Sequence, residues 1–371
     1  MRVGFDAKRA FSNYTGLGNY SRDIIRILSQ LYNQNEYFLY TPQVKQNKRL
    51  NFIKNSNNIS ICSPTSKVDK LFKSYWRSKS IVKDLLENNI EIFHGLSHEL
   101  PFGIEKTNIK TVVTIHDLIF IRYPNLFSIF DRNIYYYKFK SSCERANKII
   151  AISEQTKQDI ISFFKIPKEK IEVVYQGCNY IFQKKAANFK EIITKYKLPK
   201  KFLLYVGSIE ERKNLLTLLK TLTLLPKQKL VVIGNGKSYK KKCIKYIKNN
   251  NLVNRVLFLS KIPLEDMAAI YQSAEMLIYP SVFEGFGIPI LEALYSKIPV
   301  ITSKGSCFYE SGGPESIYIN PLCQKEIKQA IVQIQKHPNR RNQVITEGFK
   351  HAKKFNDIDI AKNIISVYEK I

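Results

Sequence analysis

The sequence predicts an α/β protein made of two doubly wound parallel-sheet domains facing a cleft. Three observations carry this reading. Short apolar runs of strand length alternate with longer stretches of helical periodicity. The alternation occurs in two series, separated by a polar, lysine-rich stretch. Several of the runs end in glycine turns that lead into a helix, the arrangement in which open parallel sheets bind their ligands. A chain of 371 residues has room for two such domains, each with its own core.

In the first series, strand-like runs fall at 2–7, 36–41, 90–95, 111–116, 148–153 and 171–177. Between them, 19–32 places Ile24, Ile25, Ile27, Leu28 and Leu31 at helical spacing, and 153–164 opens on Ser153 as an expected N-cap. The second series runs 202–208, 229–236, 255–260, 274–281 and 298–303. Residues 1–180 are thus expected to form one domain and 201–355 the other. The lysine-rich stretch 181–200 has no strand-like run and reads as a linker. The final segment, 356–371, has a helical pattern and is expected to pack back on the first domain.

Composition narrows the function classes. Hydrophobic residues make up 44% and aromatics 12%, which excludes a disordered chain. Lys and Arg number 59 against 31 Asp and Glu, a net charge of +28. Nucleic acid, an anionic membrane and simple compositional drift compete to explain it. The excess is mostly Lys, spread along the whole length, without a zinc spacing, an aromatic RNA-binding strand or an Arg-rich arm. A basic nucleic-acid-binding protein without catalysis is therefore the alternative class, not the leading one. The six cysteines lie far apart and propose neither a metal cluster nor a redox pair. An N-terminus broken by Asp6, Lys8 and Arg9 is not a signal peptide, and no apolar run is long enough to span a bilayer. The expected location is cytoplasmic. Residues 66–87, rich in lysine and holding the chain's one tryptophan, Trp76, read as a basic amphipathic helix for the inner face of an anionic membrane. A buried helix with a solvated lysine face is the competing reading.

Four segments carry chemistry. The run Tyr14-Thr15-Gly16-Leu17-Gly18-Asn19 enters a helix, and its glycines either bring backbone N–H groups to a ligand or simply make a tight turn. His116, at the end of 111–116, is either a cleft residue or a hydrogen-bonded structural histidine. In Gly207-Ser208-Ile209-Glu210-Glu211-Arg212-Lys213, the cations could neutralise a diphosphate or be solvated surface. The strongest segment is Glu284-Gly285-Phe286-Gly287-Ile288-Pro289, with Glu292 further on. There a glycine-rich loop runs into a helix with Pro289 at its start, and the two carboxylates are placed to accept hydrogen bonds from ligand hydroxyls. A helix-favouring Glu accounts for Glu292 by itself but not for the Gly-Phe-Gly between the two acids.

These segments, in this order, resemble those of the family-4 retaining glycosyltransferases over essentially the whole chain. The resemblance implies the GT-B architecture of two Rossmann-like domains. It implies transfer of a hexose from a nucleotide-sugar donor to a glycan or lipid-linked acceptor in bacterial surface polysaccharide synthesis. Mannose from GDP-mannose is the first expectation, a UDP-hexose the second. Carried over residue by residue, it implies catalytic roles for His116, Arg212, Lys213 and Glu284. It places Gly16, Gly18, Gly207, Gly285, Phe286, Gly287 and Glu292 on the donor, with Glu292 at the ribose. Neither a cofactor nor a metal is expected, since cations take the part a metal plays elsewhere. Ser303-Lys304-Gly305-Ser306, after the strand-like run 298–302, resembles a further turn near the donor.

Overall fold

The computed structural model describes residues 1–186 and 189–371. The chain divides into two compact units, Met1–Gly177 together with Asn356–Ile371, and Cys178–Phe355. In the first, β1 (Arg2–Asp6), β2 (Glu36–Tyr40), β3 (Ile59–Cys62), β4 (Ile92–Gly95), β5 (Lys110–Ile115), β6 (Lys148–Ala151) and β7 (Ile171–Val173) form one sheet in the order β3-β2-β1-β4-β5-β6-β7. Every pairing is parallel. The second unit repeats the plan with β8 (Leu203–Val206), β9 (Leu230–Ile233), β10 (Val256–Leu259), β11 (Met276–Tyr279), β12 (Val300–Ser303) and β13 (Ile317–Ile319), ordered β10-β9-β8-β11-β12-β13. Both sheets reverse direction beside their first strand, at β1/β4 and at β8/β11. A doubly wound sheet opens its crevice at that switch point, beyond the carboxyl ends of the strands.

Central strands such as β1, β5, β8 and β11 are buried on both faces, as sheets covered by helices require. The helix Gly16–Leu31 turns Ile24, Ile25, Ile27 and Leu28 into the first core. Ser153 caps its helix as expected, accepting from the Thr156 N–H at 3.0 Å. The terminal helix Asp357–Glu369 lies in the first unit, where Arg26 pairs with Asp357 at 2.9 Å and Tyr368 is bonded to His94 at 2.7 Å.

Two sequence expectations are altered. The stretch expected as a linker, 181–200, includes 187–188, which lie outside the described residues; the rest belongs to the second unit. It contains the turn Tyr180–Gln183, with Phe182 buried against Tyr271, and the helix Phe189–Lys195. Residues 66–87 do not form one amphipathic helix. They break into Lys67–Leu71, Lys73–Tyr75, a π-turn at Trp76–Ser80 and Ile81–Glu87. Trp76 points inward, fully buried, and its indole donates to Asp84 at 2.7 Å. The π-turn at Trp76 coincides with the burial of the largest side chain of the segment. Among the described residues, no helix is long and apolar enough to cross a membrane.

Candidate active site

In the second unit, the switch point gathers the residues singled out in the sequence. β8 is followed by Gly207, whose φ of +148° is a conformation that side chains resist, and a Cβ there would lie 3.0 Å from Cδ of Lys213. The missing side chain lets Lys213 fold back over its own turn. The turn Glu211–Lys213 closes on Asn214, which takes the left-handed conformation at φ 55° and leads into the helix Leu215–Thr223. Across the switch point, β11 runs out through Ser281 and the 282–287 loop into the helix Ile288–Tyr295. That helix starts after Gly287 at φ 105°, with a proline in its first turn as expected. The two loops are joined by a hydrogen bond from the Val282 N–H to the Arg212 carbonyl, 2.8 Å.

Arg212, Lys213 and Glu284 meet at this junction. Glu284 Oε2 lies 2.8 Å from Arg212 Nη1, and Oε1 lies 2.8 Å from Lys213 Nζ. Ser281 Oγ donates to Oε1 at 2.6 Å. Arg212 also donates to the Phe283 carbonyl at 2.5 Å and pairs with Glu210 at 2.6 Å, while Lys213 donates to the Tyr279 hydroxyl at 2.8 Å. Burial by itself would raise the Glu284 carboxyl, but Lys213 and Arg212 outweigh it and hold it at about 2. The mutual effect on Arg212 has the same sense: burial opposes its charge, and Glu284 and Glu210 more than restore it. Glu284 and Arg212 are therefore both charged at neutral pH.

Glu292, in the second turn of its helix, is buried and accepts from the Tyr271 hydroxyl at 2.6 Å. Burial, then the nearby Glu292 charge, pushes the Tyr271 phenol far above its ordinary value, so it stays a donor. Phe286, expected on the donor, instead turns its ring into the core against Phe355, centroids 5.5 Å apart. Gly285 lies in the same loop, whose backbone is braced from behind. Cys307 Sγ donates to the carbonyls of Glu284 and Phe286 at 3.2 and 3.1 Å, and Ser306 Oγ to that of Glu284 at 3.3 Å.

In the first unit, His116 follows β5 and is buried. Its Nε2 faces the Leu96 carbonyl at 2.9 Å, which places the ring proton there and leaves Nδ1 unprotonated. Burial lowers its pKa to about 4, the hydrogen bond to Leu96 opposing and Arg9 assisting, so the ring is neutral. It lies edge-on to Tyr20, at 4.6 Å, and to His98, at 5.1 Å. Gly16 and Gly18 open the helix Gly16–Leu31, but not directly after β1: the short helix Lys8–Ser12 intervenes. A Cβ on Gly18 would sit 1.9 Å from the Asn13 carbonyl oxygen, whereas one on Gly16 would meet nothing within 4 Å. Gly18 is thus required by close backbone packing and Gly16 is not.

Sequence reasoning missed Tyr271, Tyr279, Glu210 and Cys307, which orient the charged groups. Tyrosines within apolar runs read as core, and only the fold shows where their hydroxyls end. Arg22 was missed as well; buried beside the Gly16 turn, it donates to the carbonyls of Ala10 and Asn13, both at 2.7 Å.

Two doubly wound parallel sheets with glycine-rich turns and paired charges at a switch point describe the GT-B glycosyltransferases, and the chain is a glycosyltransferase. Residues 14–180 match Glycosyltransferase Family 4, and residues 188–351 match Glycosyl transferases group 1. It is similar to O-antigen chain mannosyltransferase B of Escherichia coli, 25% identical over the full length of both chains. Its fold is shared with sucrose-phosphate synthase of Thermosynechococcus elongatus, at a TM-score of 0.79 and 18% identity, covering 100% of this chain and 98% of that one. It is also shared with HepE of Anabaena, solved with UDP, at a TM-score of 0.78 and 15% identity, both chains being covered completely.

Proposed function

We propose that this glycosyltransferase moves a hexose, mannose from GDP-mannose in the first reading, to a glycan or lipid-linked acceptor in bacterial surface polysaccharide synthesis. Transfer proceeds with retention and without a metal. The observation that carries the reading is the junction of Arg212, Lys213 and Glu284 at the β8/β11 switch point. Breaking a glycosidic bond to a nucleoside diphosphate builds negative charge on the departing phosphate. Two fixed cations stabilise that charge as it develops without having to reorganise, the largest contribution that preorganised polar sites make. Glu284 holds both cations in place before the donor arrives and accepts from hydroxyls of the donor sugar. Glu292, oriented by Tyr271, accepts from the ribose hydroxyls. The backbone at Gly207, Gly285 and Gly287 approaches the diphosphate, and Gly16 and Gly18 take part in donor binding. His116, neutral and with Nδ1 free of a proton, acts as an acceptor near the reacting sugar.

Mannose is supported by the similarity to the E. coli mannosyltransferase over both full lengths. A UDP-hexose is the second reading, supported by the fold shared with UDP-bound HepE. The enzyme works in the cytoplasm, at the inner face of the membrane when its acceptor is lipid-linked. A thermal-shift series with GDP-, UDP- and ADP-sugars tests the donor: GDP-mannose is expected to raise the melting temperature most. Stabilisation by UDP-sugars alone overturns the mannose reading. Stabilisation by none of them, with salt-sensitive retention of nucleic acid on a filter, overturns the enzyme reading in favour of the nucleic-acid alternative.

A further inference from the structure

The ring of His116 is flanked by two others. Tyr20 meets it edge-on with centroids 4.6 Å apart, and His98, itself stacked flat on Phe139 at 4.2 Å, meets it at 5.1 Å. One residue holds both neighbours. Thr114, in β5 two places before His116, accepts the His98 N–H on its carbonyl at 2.9 Å, and its Oγ1 lies 3.1 Å from the Tyr20 hydroxyl. Thr114 is held in turn from the other side. His94 of β4 reaches Oγ1 with Nε2 at 2.8 Å, and its Nδ1 lies 2.7 Å from the hydroxyl of Tyr368, in the terminal helix Asp357–Glu369. Tyr368, His94, Thr114 and Tyr20 thus form a row of three hydrogen bonds drawn from four elements, each residue at most 4% exposed.

Burial keeps His94 neutral, lowering its pKa to about 3. A neutral imidazole donates at one nitrogen and accepts at the other, so the two bonds on this ring run in one direction along the row. A hydroxyl lost at either end leaves a buried neighbour without its partner, and the disturbance is passed on. Apolar side chains of the same shape would stabilise the fold about as well; what a satisfied polar row adds is a single arrangement. We propose that Tyr20 and Thr114 are positioning residues for His116, and that Tyr368 locks them through His94, so that the terminal helix sets the orientation of a ring in the candidate site. The proposal rests on the reading of His116 as an acceptor near the reacting sugar for its purpose, while its geometry is open to test without substrate.

The chain has five histidines, few enough for long-range proton–nitrogen NMR spectra of the imidazole rings in the full-length protein. The wild type is expected to show His116 as one neutral ring protonated at Nε2. Tyr368→Phe keeps its ring and removes a hydroxyl bonded to His94. A merely structural hydroxyl would displace the His94 signals alone; here those of His116 should shift or double as well. Tyr20→Phe and Thr114→Val should do the same, whereas Thr114→Ser, which keeps the hydroxyl, should retain the wild-type pattern. His116 signals that stay in place in folded Tyr368→Phe or Thr114→Val overturn the proposal, as does a displacement in Thr114→Ser as large as in Thr114→Val. Release of GDP from GDP-mannose, measured well below the melting temperature, separates this from the role of His116 itself. His116→Ala should lower kcat by roughly tenfold or more, and Tyr20→Phe and Thr114→Val by about fivefold, with KM within about twofold. A loss in His116→Ala beside unchanged kcat in the other two overturns the positioning. Unchanged kcat in His116→Ala overturns the role given to His116 and leaves the row of hydrogen bonds to be decided by the spectra.

Discussion

At the scale of single residues, Arg212 and Lys213 are largely withdrawn from solvent, their side chains 13% and 12% exposed, and each is held by more than one partner. Arg212 is fixed by Glu284, Glu210 and the Phe283 carbonyl, and Lys213 by Glu284 and the Tyr279 hydroxyl. Substituting either by Ala should lower kcat by roughly tenfold or more in a folded protein; unchanged kcat removes it from the leaving-group role. Tyr271→Phe deletes one hydrogen bond to a buried carboxylate without changing shape. The nucleotide dissociation constant should rise by roughly tenfold while kcat at saturating donor stays within about twofold. Titration of free nucleotide reads this directly, and an unaltered constant separates Tyr271 from donor binding. The acids and cations were legible in the sequence because Glu284 and Glu292 flank a glycine-rich loop and Arg212 follows a strand. The tyrosines were not, because nothing local distinguishes a phenol that ends on a carboxylate from one that ends in the core.

At the scale of elements, the two glycines of the Gly16–Leu31 turn make opposite predictions despite their shared motif. Gly18→Ala places a methyl group 1.9 Å from the Asn13 carbonyl oxygen, so the turn must open, at a cost of roughly 1–3 kcal/mol. Gly16→Ala meets nothing within 4 Å and should leave the melting temperature unchanged or slightly raised. Thermal melts of the two variants check this; equal destabilisation would mean the turn packs differently. Central strands were readable because burial on both faces makes them continuous apolar runs, as in Leu230–Ile233. The edge strands Ile59–Cys62 and Ile317–Ile319 were missed because they are short and only partly buried. The basic stretch read as one helix was misread for a different reason: a tertiary contact of Trp76 overrode local periodicity.

At the scale of the whole molecule, three histidines are buried in the first unit and kept neutral chiefly by burial. His94 is lowered to about 3, His116 to about 4, and His98 well below its ordinary value. Unfolded, each would take up a proton near pH 6.5. The unfolded chain therefore binds more protons below that pH, and stability falls as pH drops from about 6.5 towards 4, while above 6.5 these groups add no pH dependence. Each contributes a slope approaching about 1.4 kcal/mol per pH unit within that window. Melts between pH 7 and pH 5 should show the decline, and a flat profile would mean that the histidines are accessible in the native state. Glu284 acts with the same sign at lower pH: its pair with Arg212 and Lys213 is intact above the ordinary carboxylate range and is lost as pH falls towards about 2.

The return of the chain to its first unit at Asn356 has a consequence for biosynthesis. Tyr368, which is hydrogen-bonded to buried His94, and Asp357, the partner of Arg26, leave the ribosome only after the whole of the second unit. The unit encoded first is therefore finished last, after the whole of Cys178–Phe355 has been made and has had time to fold. Until then a strip of apolar surface along the helix Gly16–Leu31 stays uncovered. A nascent chain stalled before Asn356, or a fragment ending at Gly177, is a natural client for a chaperone rather than half an enzyme.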